Sequence, residues 1–368
     1  MQLISKLILI IFLVLFTKIF SQNQNFEKQN EKTIKLCERF IKQNDIPGMS
    51  VSISYMGKTI FSKGFGYSDI KKGTKVDPSK TKFRIASITK TITSATLAKL
   101  AELDSIDLDK SVYYYLDSLH HKKYDFTIRQ VGGHLSGMIR NPSEERIDSL
   151  NTYTRKDFYR VFEKDDLDFE PSTKFQYSNY GFKLLGLIIE KKCGKSLIGC
   201  QKEMVIDKLN LTNTIPDIGV YDETITKFYT VRKDQILERP KANCKFRYAE
   251  GCYLSTTEDL LKLGNSFLYE NKLIKKDIFL EFIKSQKTID GYKTDYGIGF
   301  ITSKDFYGNY YFGHNGRHFG GISLLHIYPK SNLIISIFVN TDILIKHANS
   351  LDKIAEEIII IYLNSILY

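Results

Sequence analysis

Stretches that alternate apolar and polar residues lie near both ends of this 368-residue chain, and they constrain its fold more than any other feature. Residues 49–55 and 59–67 flank a tight Met56-Gly57-Lys58 turn, which predicts a β-hairpin. Residues 322–328 and 333–339 are rich in β-branched and aromatic residues and flank a second turn. Strands at both ends of a chain favour one antiparallel sheet assembled from both ends, with the intervening region inserted into it.

Helix-forming residues dominate the region between these strands. Residues 105–290 are predicted to be mainly helical, with breaks at glycines and prolines. Further helices are predicted over 26–44 and 347–366, and further strands over 296–301 and 310–312. The pattern predicts an α+β fold in which helices flank the antiparallel sheet.

Length and composition indicate a globular chain with a large core. Hydrophobic residues make up 42% of the sequence and charged residues 26%. We expect a single catalytic domain over residues 22–368. Its sheet part is expected at about 26–70 and 295–368, and its helical part at about 83–290.

The first residues resemble a targeting segment. Lys6 precedes an apolar run over residues 7–16, and Ser21 provides a small residue before Gln22. This pattern predicts a signal peptide over residues 1–21 and an exported protein, either in the cell envelope or secreted. The alternative is an uncleaved N-terminal anchor, although the run is short for a membrane-spanning helix.

The net charge of +11 comes from basic residues scattered among acidic ones. No basic stripe or nucleic-acid-binding motif is present, so we expect no nucleic-acid partner. The positive charge favours at most a weak peripheral association with anionic membrane or envelope surfaces. Neither the charge nor the composition indicates an oligomeric state.

The spacing of the cysteines and histidines does not predict a metal site. The cysteines are odd in number and include no Cys-x-x-Cys pair, and His120-His121 lacks the further ligands of a metal motif. An oxidising compartment permits disulfides, and Cys244 lies close to Cys252, but spacing alone leaves the pairing open. The five cysteines are Cys37, Cys193, Cys200, Cys244 and Cys252.

Ser87 and Lys90 form the first of three motifs that carry chemistry. The stretch from Ser87 lacks glycine and proline up to Glu102, so Ser87 is predicted at a helix N-terminus, with Lys90 one turn later on the same face. A serine nucleophile needs a base, and burial together with the helix terminus would disfavour the ammonium form of the lysine. The alternative is a helix-capping serine beside a surface lysine, and Ser-x-x-Lys recurs elsewhere in the chain.

Tyr177-Ser178-Asn179 is the second motif, where a loop runs into an apolar helix. A phenol near a lysine is able to relay a proton to or from a serine hydroxyl. The Asn179 amide is able to bind a substrate amide or to orient Lys90. The alternative is a buried tyrosine followed by a loop asparagine.

His314-Asn315-Gly316 is the third motif, in a glycine-rich segment that ends a strand. Glycine allows a backbone to approach a ligand closely, and the N–H of Arg317 is a candidate oxyanion donor. The alternative is an ordinary glycine-rich turn with solvent-exposed histidines.

Taken in order, these motifs resemble those of the serine β-lactamase and penicillin-binding-protein superfamily, in its class C-like branch. Residues 83–90, 177–181 and 313–316 are similar to the three motifs of that family, with histidine where many members have lysine. Residues 127–137 and 251–260 match two supporting segments. The Gly-Gly-His-Leu-Ser-Gly form is most similar to the mitochondrial-type serine β-lactamase-like subgroup and its bacterial relatives.

The resemblance implies a β-lactamase/transpeptidase-like fold and an enzyme that uses neither metal nor cofactor. It implies that Ser87 is the nucleophile, Lys90 the proton acceptor and Tyr177 the proton donor to the leaving group. Asn179, His314, Gly316 and Arg317 are then substrate-binding residues.

We therefore expect hydrolysis of a small-molecule or peptide substrate, either a peptide-like amide or an ester, through a Ser87 acyl-enzyme. With histidine at position 314 in place of lysine, the site lacks a permanent positive charge, which argues against strong β-lactamase activity. The alternative is a non-catalytic relative that uses the same fold for binding or self-assembly.

Overall fold

The computed structural model describes residues 25–141, 154–232, 235–241, 244, 246–269, 273–342 and 351–366. The predicted signal peptide, residues 1–21, lies outside the described residues. Within the described residues, no helix combines the length and the apolar character that crossing a bilayer requires.

The strands and helices are numbered here in chain order. The strands are β1 (Gly48–Tyr55), β2 (Lys58–Asp69), β3 (Thr74–Lys75), β4 (Phe83–Arg84), β5 (Ile215–Pro216), β6 (Tyr229–Arg232), β7 (Gln235–Glu238), β8 (Tyr253–Ser255), β9 (Ile301–Lys304), β10 (Tyr310–His318), β11 (Gly321–Tyr328) and β12 (Leu333–Val339). The helices are α1 (Glu27–Gln43), α2 (Thr89–Glu102), α3 (Val112–Tyr115), α4 (Ile128–Gly132), α5 (Arg155–Lys164), α6 (Asn179–Cys193), α7 (Leu197–Gln201), α8 (Thr257–Leu268), α9 (Lys276–Ile283) and α10 (Leu351–Ile366).

A seven-stranded sheet joins the two ends of the chain, in the order β3-β2-β1-β12-β11-β10-β9. All neighbouring strands in it are antiparallel. β1 and β12 lie side by side, with Val51 opposite Ile337, although most of the chain separates them in sequence. The predicted antiparallel sheet built from both ends is therefore confirmed.

Helices cover both faces of this sheet. On one face, α1 and α10 pack together, and Phe40, Ile358 and Tyr362 share a buried cluster with Ile335 of β12. On the other face, α8 packs on β1, β11 and β12. Burial of apolar surface on both sides explains why β12 is apolar at almost every position and does not alternate.

The helix α2 lies on the same side of the sheet as α8 and is surrounded by protein. It packs against α6, α9 and β10, and every residue from Thr89 to Ala98 is buried. A helix buried on all sides needs small or apolar residues all round, and threonine, serine and alanine supply them here. The segment that precedes α2 is thereby held between the sheet and the helices.

Three expectations for local structure were wrong. His314-Asn315-Gly316 was expected to end a strand, but these residues lie inside β10, because the strand continues to His318 by pairing with β11. Residues 296–301 were expected to form a strand, but the strand β9 begins only at Ile301, because Gly299 has a φ of +75° and interrupts extended backbone. The middle of the chain is also less helical than expected. It contains β5 and β8, which form a three-stranded sheet with β4, and a hairpin of β6 and β7. The strands β5 and β8 are short and pair with strands distant in sequence, which local periodicity does not reveal.

Four of the five cysteines form disulfides. Cys193 is bonded to Cys200 and Cys244 to Cys252, whereas Cys37 is buried and free. The second bond joins Cys244 and Cys252, the pair whose closeness in sequence was noted above. Each disulfide closes a short loop, and the Cys244–Cys252 loop adjoins the site described next.

Candidate active site

Ser87 lies at the point where β4 turns into α2. It occupies a 3₁₀ turn, Ala86–Ile88, and Ala86 before it has a φ of +46°, which is unusual for a residue with a side chain. From Thr81 to Ala98, Ser87 is the one residue that is not buried. The backbone therefore presents the Ser87 side chain at the wall of an otherwise buried segment.

Lys90 is completely buried beside Ser87. Its Nζ lies 3.3 Å from Ser87 Oγ and donates to Asn179 Oδ1 and to the Glu250 carbonyl oxygen, each at 2.8 Å. Burial lowers the pKa of Lys90 from 10.5 to about 7, since the low-polarity surroundings disfavour the ammonium. A sizeable fraction of Lys90 is thus neutral near pH 7 and able to accept a proton from Ser87.

Tyr177 faces the same hydroxyl. Its phenol is hydrogen-bonded to Ser87, and Lys90 Nζ lies 4.9 Å from the centre of its ring. Burial raises the pKa of Tyr177 above its ordinary value, which more than offsets the effect of the Ser87 hydrogen bond. The phenol therefore stays protonated at neutral pH and is available as a proton donor.

Asn179 begins α6 and links the lysine to the loop opposite. Its Oδ1 accepts from Lys90, and its Nδ2 donates to Asn141 Oδ1 at 3.0 Å. Ser178 caps the helix by accepting from the Gly181 N–H at 2.8 Å, which sets the direction of Asn179. A substrate amide has to compete for the Asn179 side chain or bind at its edge.

His314 lies on β10 and is neutral. Tyr296 donates to its Nε2 at 2.8 Å, and its Nδ1 donates to the Asn315 carbonyl oxygen at 2.6 Å. Burial lowers the pKa of His314 to about 3, with the Lys90 charge acting in the same direction. This position therefore supplies shape and a polar edge to the site without a positive charge.

Gly316 brings β10 against the turn that carries Ser87. A side-chain carbon at this position would lie 2.2 Å from the Ile85 carbonyl oxygen and 2.3 Å from Ser323 Oγ, both far inside contact distance. Ser323 in turn donates to the same Ile85 carbonyl at 2.8 Å. Only glycine allows this approach.

Arg317 is exposed, and its guanidinium donates to the Asp342 carbonyl oxygen at 2.9 Å. That contact holds the side chain toward the end of β12. The role of its backbone N–H as an oxyanion donor remains a prediction.

His134 also belongs to the site, although the sequence analysis assigned it no role. Its Nδ1 accepts from the Ser178 N–H at 3.1 Å, so the ring carries its proton on Nε2. The ring lies 4.3 Å from that of Tyr177 and 4.6 Å from that of Tyr296, and burial holds its pKa well below the ordinary value. His134 therefore packs on the Tyr177 ring and binds the backbone N–H of the next residue, Ser178.

Buried Glu250 pairs with the half-buried Arg247 behind Lys90, with Arg247 Nε 2.9 Å from Glu250 Oε1. Burial opposes ionisation of Glu250, but Arg247, Lys183 and Lys90 together hold its pKa below its ordinary range. Glu250 also presents its backbone carbonyl to Lys90. Neither this contact nor that of Tyr296 has a sequence signal, because a backbone acceptor and a lone tyrosine carry no motif.

The four central residues of the sequence motifs, Ser87, Lys90, Tyr177 and Asn179, are thus brought together, and His314 and Gly316 form the opposite wall. Among the described residues, His, Cys, Asp and Glu side chains form no cluster able to hold a metal ion. The Ser87 hydroxyl lies between a lysine with a lowered pKa and a protonated phenol, and helices pack on an antiparallel sheet. Together these features define a β-lactamase-type serine hydrolase fold.

Comparison with known proteins agrees with this class. The family model described as Beta-lactamase matches residues 25–358. The chain belongs to the Beta-lactamase family.

Individual relatives are distant. The human mitochondrial serine β-lactamase-like protein LACTB is 26% identical over 317 residues, which is 66% of this chain and 57% of the human protein. The chain thus spans somewhat over half the length of that curated relative.

Solved structures of low identity share the fold. The D-amino acid amidase from Ochrobactrum anthropi SV3, in complex with D-phenylalanine, has a TM-score of 0.80 at 18% identity, covering 92% of this chain and all of that chain, 100%. The octameric penicillin-binding protein homologue from Pyrococcus abyssi has a TM-score of 0.76 at 22% identity, covering 91% and 77% of the two chains. At such identities the likeness shows the fold alone.

Proposed function

We propose that this protein hydrolyses a peptide-like amide or an ester through a covalent acyl-enzyme on Ser87. The observation that carries the proposal is the burial of Lys90 with its Nζ 3.3 Å from Ser87 Oγ and a pKa lowered to about 7. A fully buried lysine is costly to a fold and is retained where its neutral amine serves as a base.

In the first half-reaction, the Ser87 oxygen attacks the substrate carbonyl carbon while its proton passes to Lys90. The carbonyl oxygen becomes an oxyanion, and in this proposal backbone N–H groups at the start of α2 and on β10, such as that of Arg317, stabilise it. Collapse of the tetrahedral intermediate breaks the bond to the leaving group. Tyr177 donates its proton to that amine or alcohol and regains one from Lys90.

In the second half-reaction, water attacks the Ser87 ester. Tyr177 and Lys90 together accept the proton of the water, and the Ser87 oxygen leaves with a proton returned from the pair. The product acid departs and the starting protonation states are restored. No step requires a metal or an organic cofactor.

The neutral His314 bears on the type of substrate. A permanent cation on this strand would attract the carboxylate of a β-lactam, and His314 carries no charge near pH 7 because of its burial. The proposal is therefore an amidase, peptidase or esterase with weak β-lactam turnover. The D-amino acid amidase that shares this fold makes amides of amino acids suitable first compounds to test.

The test is covalent labelling by a fluorophosphonate probe, read by intact mass, together with turnover of amide and ester panels. Ser87→Ala is expected to abolish both the adduct and turnover. Tyr177→Phe is expected to slow acyl transfer by roughly 10²–10⁴-fold, the usual loss for one acid–base group. His314→Ala is expected to shift substrate preference more than the rate of probe labelling.

Ser79→Ala is the matched control, since Ser79 and Lys82 repeat the Ser-x-x-Lys spacing but the Ser79 hydroxyl donates to Asp77 Oδ1. This variant is expected to label and turn over normally. EDTA is expected to have no effect. Turnover that survives Ser87→Ala but is lost on chelation would contradict the proposal, and a folded wild type that never labels would favour a non-catalytic binding or scaffold role.

A further inference from the structure

Arg140 lies on the wall of the site that carries Tyr177 and Asn179. Its backbone carbonyl oxygen accepts from the N–H groups of Asn179 at 3.0 Å and Tyr180 at 3.3 Å. Ser178 Oγ donates to the neighbouring Ile139 carbonyl at 2.6 Å. Three hydrogen bonds thus fix this stretch against the first turn of α6, so the position from which the Arg140 side chain emerges is well defined.

The side chain of Arg140 is exposed and close to the reacting groups. Its guanidinium carbon lies 5.8 Å from the centre of the Tyr177 ring, within the range of a cation–π contact. Burial is the main cause of the shifted pKa values of Lys90, His134 and Tyr177, and the Arg140 charge makes a smaller, lowering contribution at each, which agrees with its closeness to all three. Among the described residues, no carboxylate pairs with it.

The other arginines around the site are already engaged. Arg247 is paired with Glu250, Arg84 with Asp217, and Arg317 donates to the Asp342 carbonyl. The two central histidines are neutral at pH 7 because both are buried. Within the part of the chain that the structure describes, Arg140 is therefore a planar cation beside the site with no carboxylate partner, and it is suited to bind a carboxylate.

We propose that Arg140 binds a carboxylate carried on the acyl part of the substrate, so that the preferred acyl donor is anionic. The acyl part is assigned because the Arg140 backbone is hydrogen-bonded to Asn179, and the neighbouring Asn141 binds the Asn179 side chain, which is expected to contact the substrate amide. The placement of the acyl group rests on the proposed function. The expected recognition is a charge-assisted, two-pronged hydrogen bond at a partly exposed position.

The test separates recognition from catalysis by using Ser87→Ala, which lacks the nucleophile and forms no acyl-enzyme. The probes are succinyl-, glutaryl-, adipoyl- and pimeloyl-anilides, each compared with its methyl-capped ester form of equal length but no charge. Binding is measured by calorimetry in low salt. The series of chain lengths allows for the distance between the carbonyl and the guanidinium.

At one or more chain lengths, the free carboxylate is expected to bind about 10- to 100-fold more tightly than its capped form, as a charge-assisted hydrogen bond allows. The preference is expected to vanish in Ser87→Ala/Arg140→Gln and to weaken as salt is added. Ser87→Ala/Arg39→Gln is the matched control, because Arg39 is an exposed arginine on α1, on the other face of the sheet. It is expected to keep the full preference.

Equal or undetectable binding of the charged and capped forms would overturn the inference, as would a preference that survives Arg140→Gln. A carboxylate preference that depends on Arg140, in a protein whose Ser87 never labels, would support the subsite and contradict the proposed hydrolysis. The experiment therefore distinguishes failure of the Arg140 subsite from failure of the proposed hydrolysis.

Discussion

Lys90 shows how one residue can set the working pH of a site. Its stem and amine are enclosed by protein, and its three hydrogen-bonding neighbours are Ser87, Asn179 and the Glu250 carbonyl, none of which bears a formal charge at the contacting atom. Such neighbours satisfy an amine without holding it in the charged form. The desolvation cost is then relieved by loss of the proton, and the neutral amine that results is the form the proposed mechanism needs.

The rate of Ser87 labelling is therefore expected to rise with pH and to level off above about 7, the pKa of Lys90. Below that pH the ammonium is unable to accept the Ser87 proton. The measurement is the second-order rate of fluorophosphonate labelling between pH 5 and 9. Lys90→Arg is expected to label very slowly throughout, since arginine keeps its proton, and a flat profile in the wild type would count against the neutral amine.

The same pKa predicts how stability changes with pH. In the unfolded chain lysine keeps its proton up to about pH 10.4, whereas folded Lys90 loses it at about 7, so between these values the unfolded state binds more protons. This group alone should make folding more favourable by about 1.4 kcal/mol for each pH unit in that window. Comparing urea unfolding of the wild type with Lys90→Met isolates the contribution.

Much of the site could be predicted at this scale because Ser87, Lys90, Tyr177 and Asn179 are chemically specific residues at characteristic positions along the chain. The backbone groups and side chains that contact these four residues could not be predicted. The Glu250 carbonyl has no side-chain identity to recognise, and Tyr296 reaches His314 only after β9 and β10 have formed. The sequence also offered no reason to assign Arg140 to the site, because exposed arginines in loops are common.

At the scale of elements, the decisive contact is that between β10 and the turn before α2. Gly316 permits it, since the strand backbone lies where any side chain would strike Ile85 and Ser323. Helix propensity correctly placed Ser87 near a helix start. The approach of β10 from the far end of the chain could be expected only through the family resemblance.

Gly316→Ala is expected to move β10 away from the turn and to reduce Ser87 labelling by at least about tenfold, because a displacement on the order of 1 Å at a catalytic site has large effects. Gly251→Ala is the matched control. Gly251 also adjoins the turn, but a side-chain carbon there would meet only the Ala86 carbonyl carbon, at 3.9 Å. If the two variants label at equal rates, the close approach at Gly316 is not what positions the nucleophile.

For the whole molecule, the two disulfides provide similar covalent restraint but lie in different surroundings. Their cysteines are 7 and 8 residues apart, so each is expected to stabilise the fold by about 2–3 kcal/mol through restriction of the unfolded chain. Cys244–Cys252 encloses Arg247 and Glu250, which support Lys90, whereas Cys193–Cys200 joins the end of α6 to α7.

Replacing either cysteine pair by serine is therefore expected to lower the unfolding free energy by comparable amounts. Only the Cys244→Ser/Cys252→Ser variant is expected to slow Ser87 labelling, by loosening the Glu250 carbonyl. Both variants are compared by urea unfolding and by labelling rate at a temperature where each is folded. Equal labelling rates would show that the Cys244–Cys252 loop serves stability alone.

The architecture of the main sheet could be predicted because its strands carry strong β-forming residues and lie at opposite ends of the chain. The middle of the chain could not be predicted as well. Its strands have as few as two residues, as in β4 and β5, and they gain their partners from tertiary contacts. Local propensity contains too little information to identify such short pairings.

The pairing of β1 with β12 also has a consequence for biosynthesis. A chain made from its N-terminus exposes the apolar β1–β2 hairpin, with one open strand edge, until almost all of the remaining residues have emerged. Ser87 and Lys90 are synthesised early, but the strand that places Gly316 against their turn comes late. A nascent chain therefore carries Ser87 and Lys90 before their site is complete, and chaperones that shield open strand edges would be needed most during that interval.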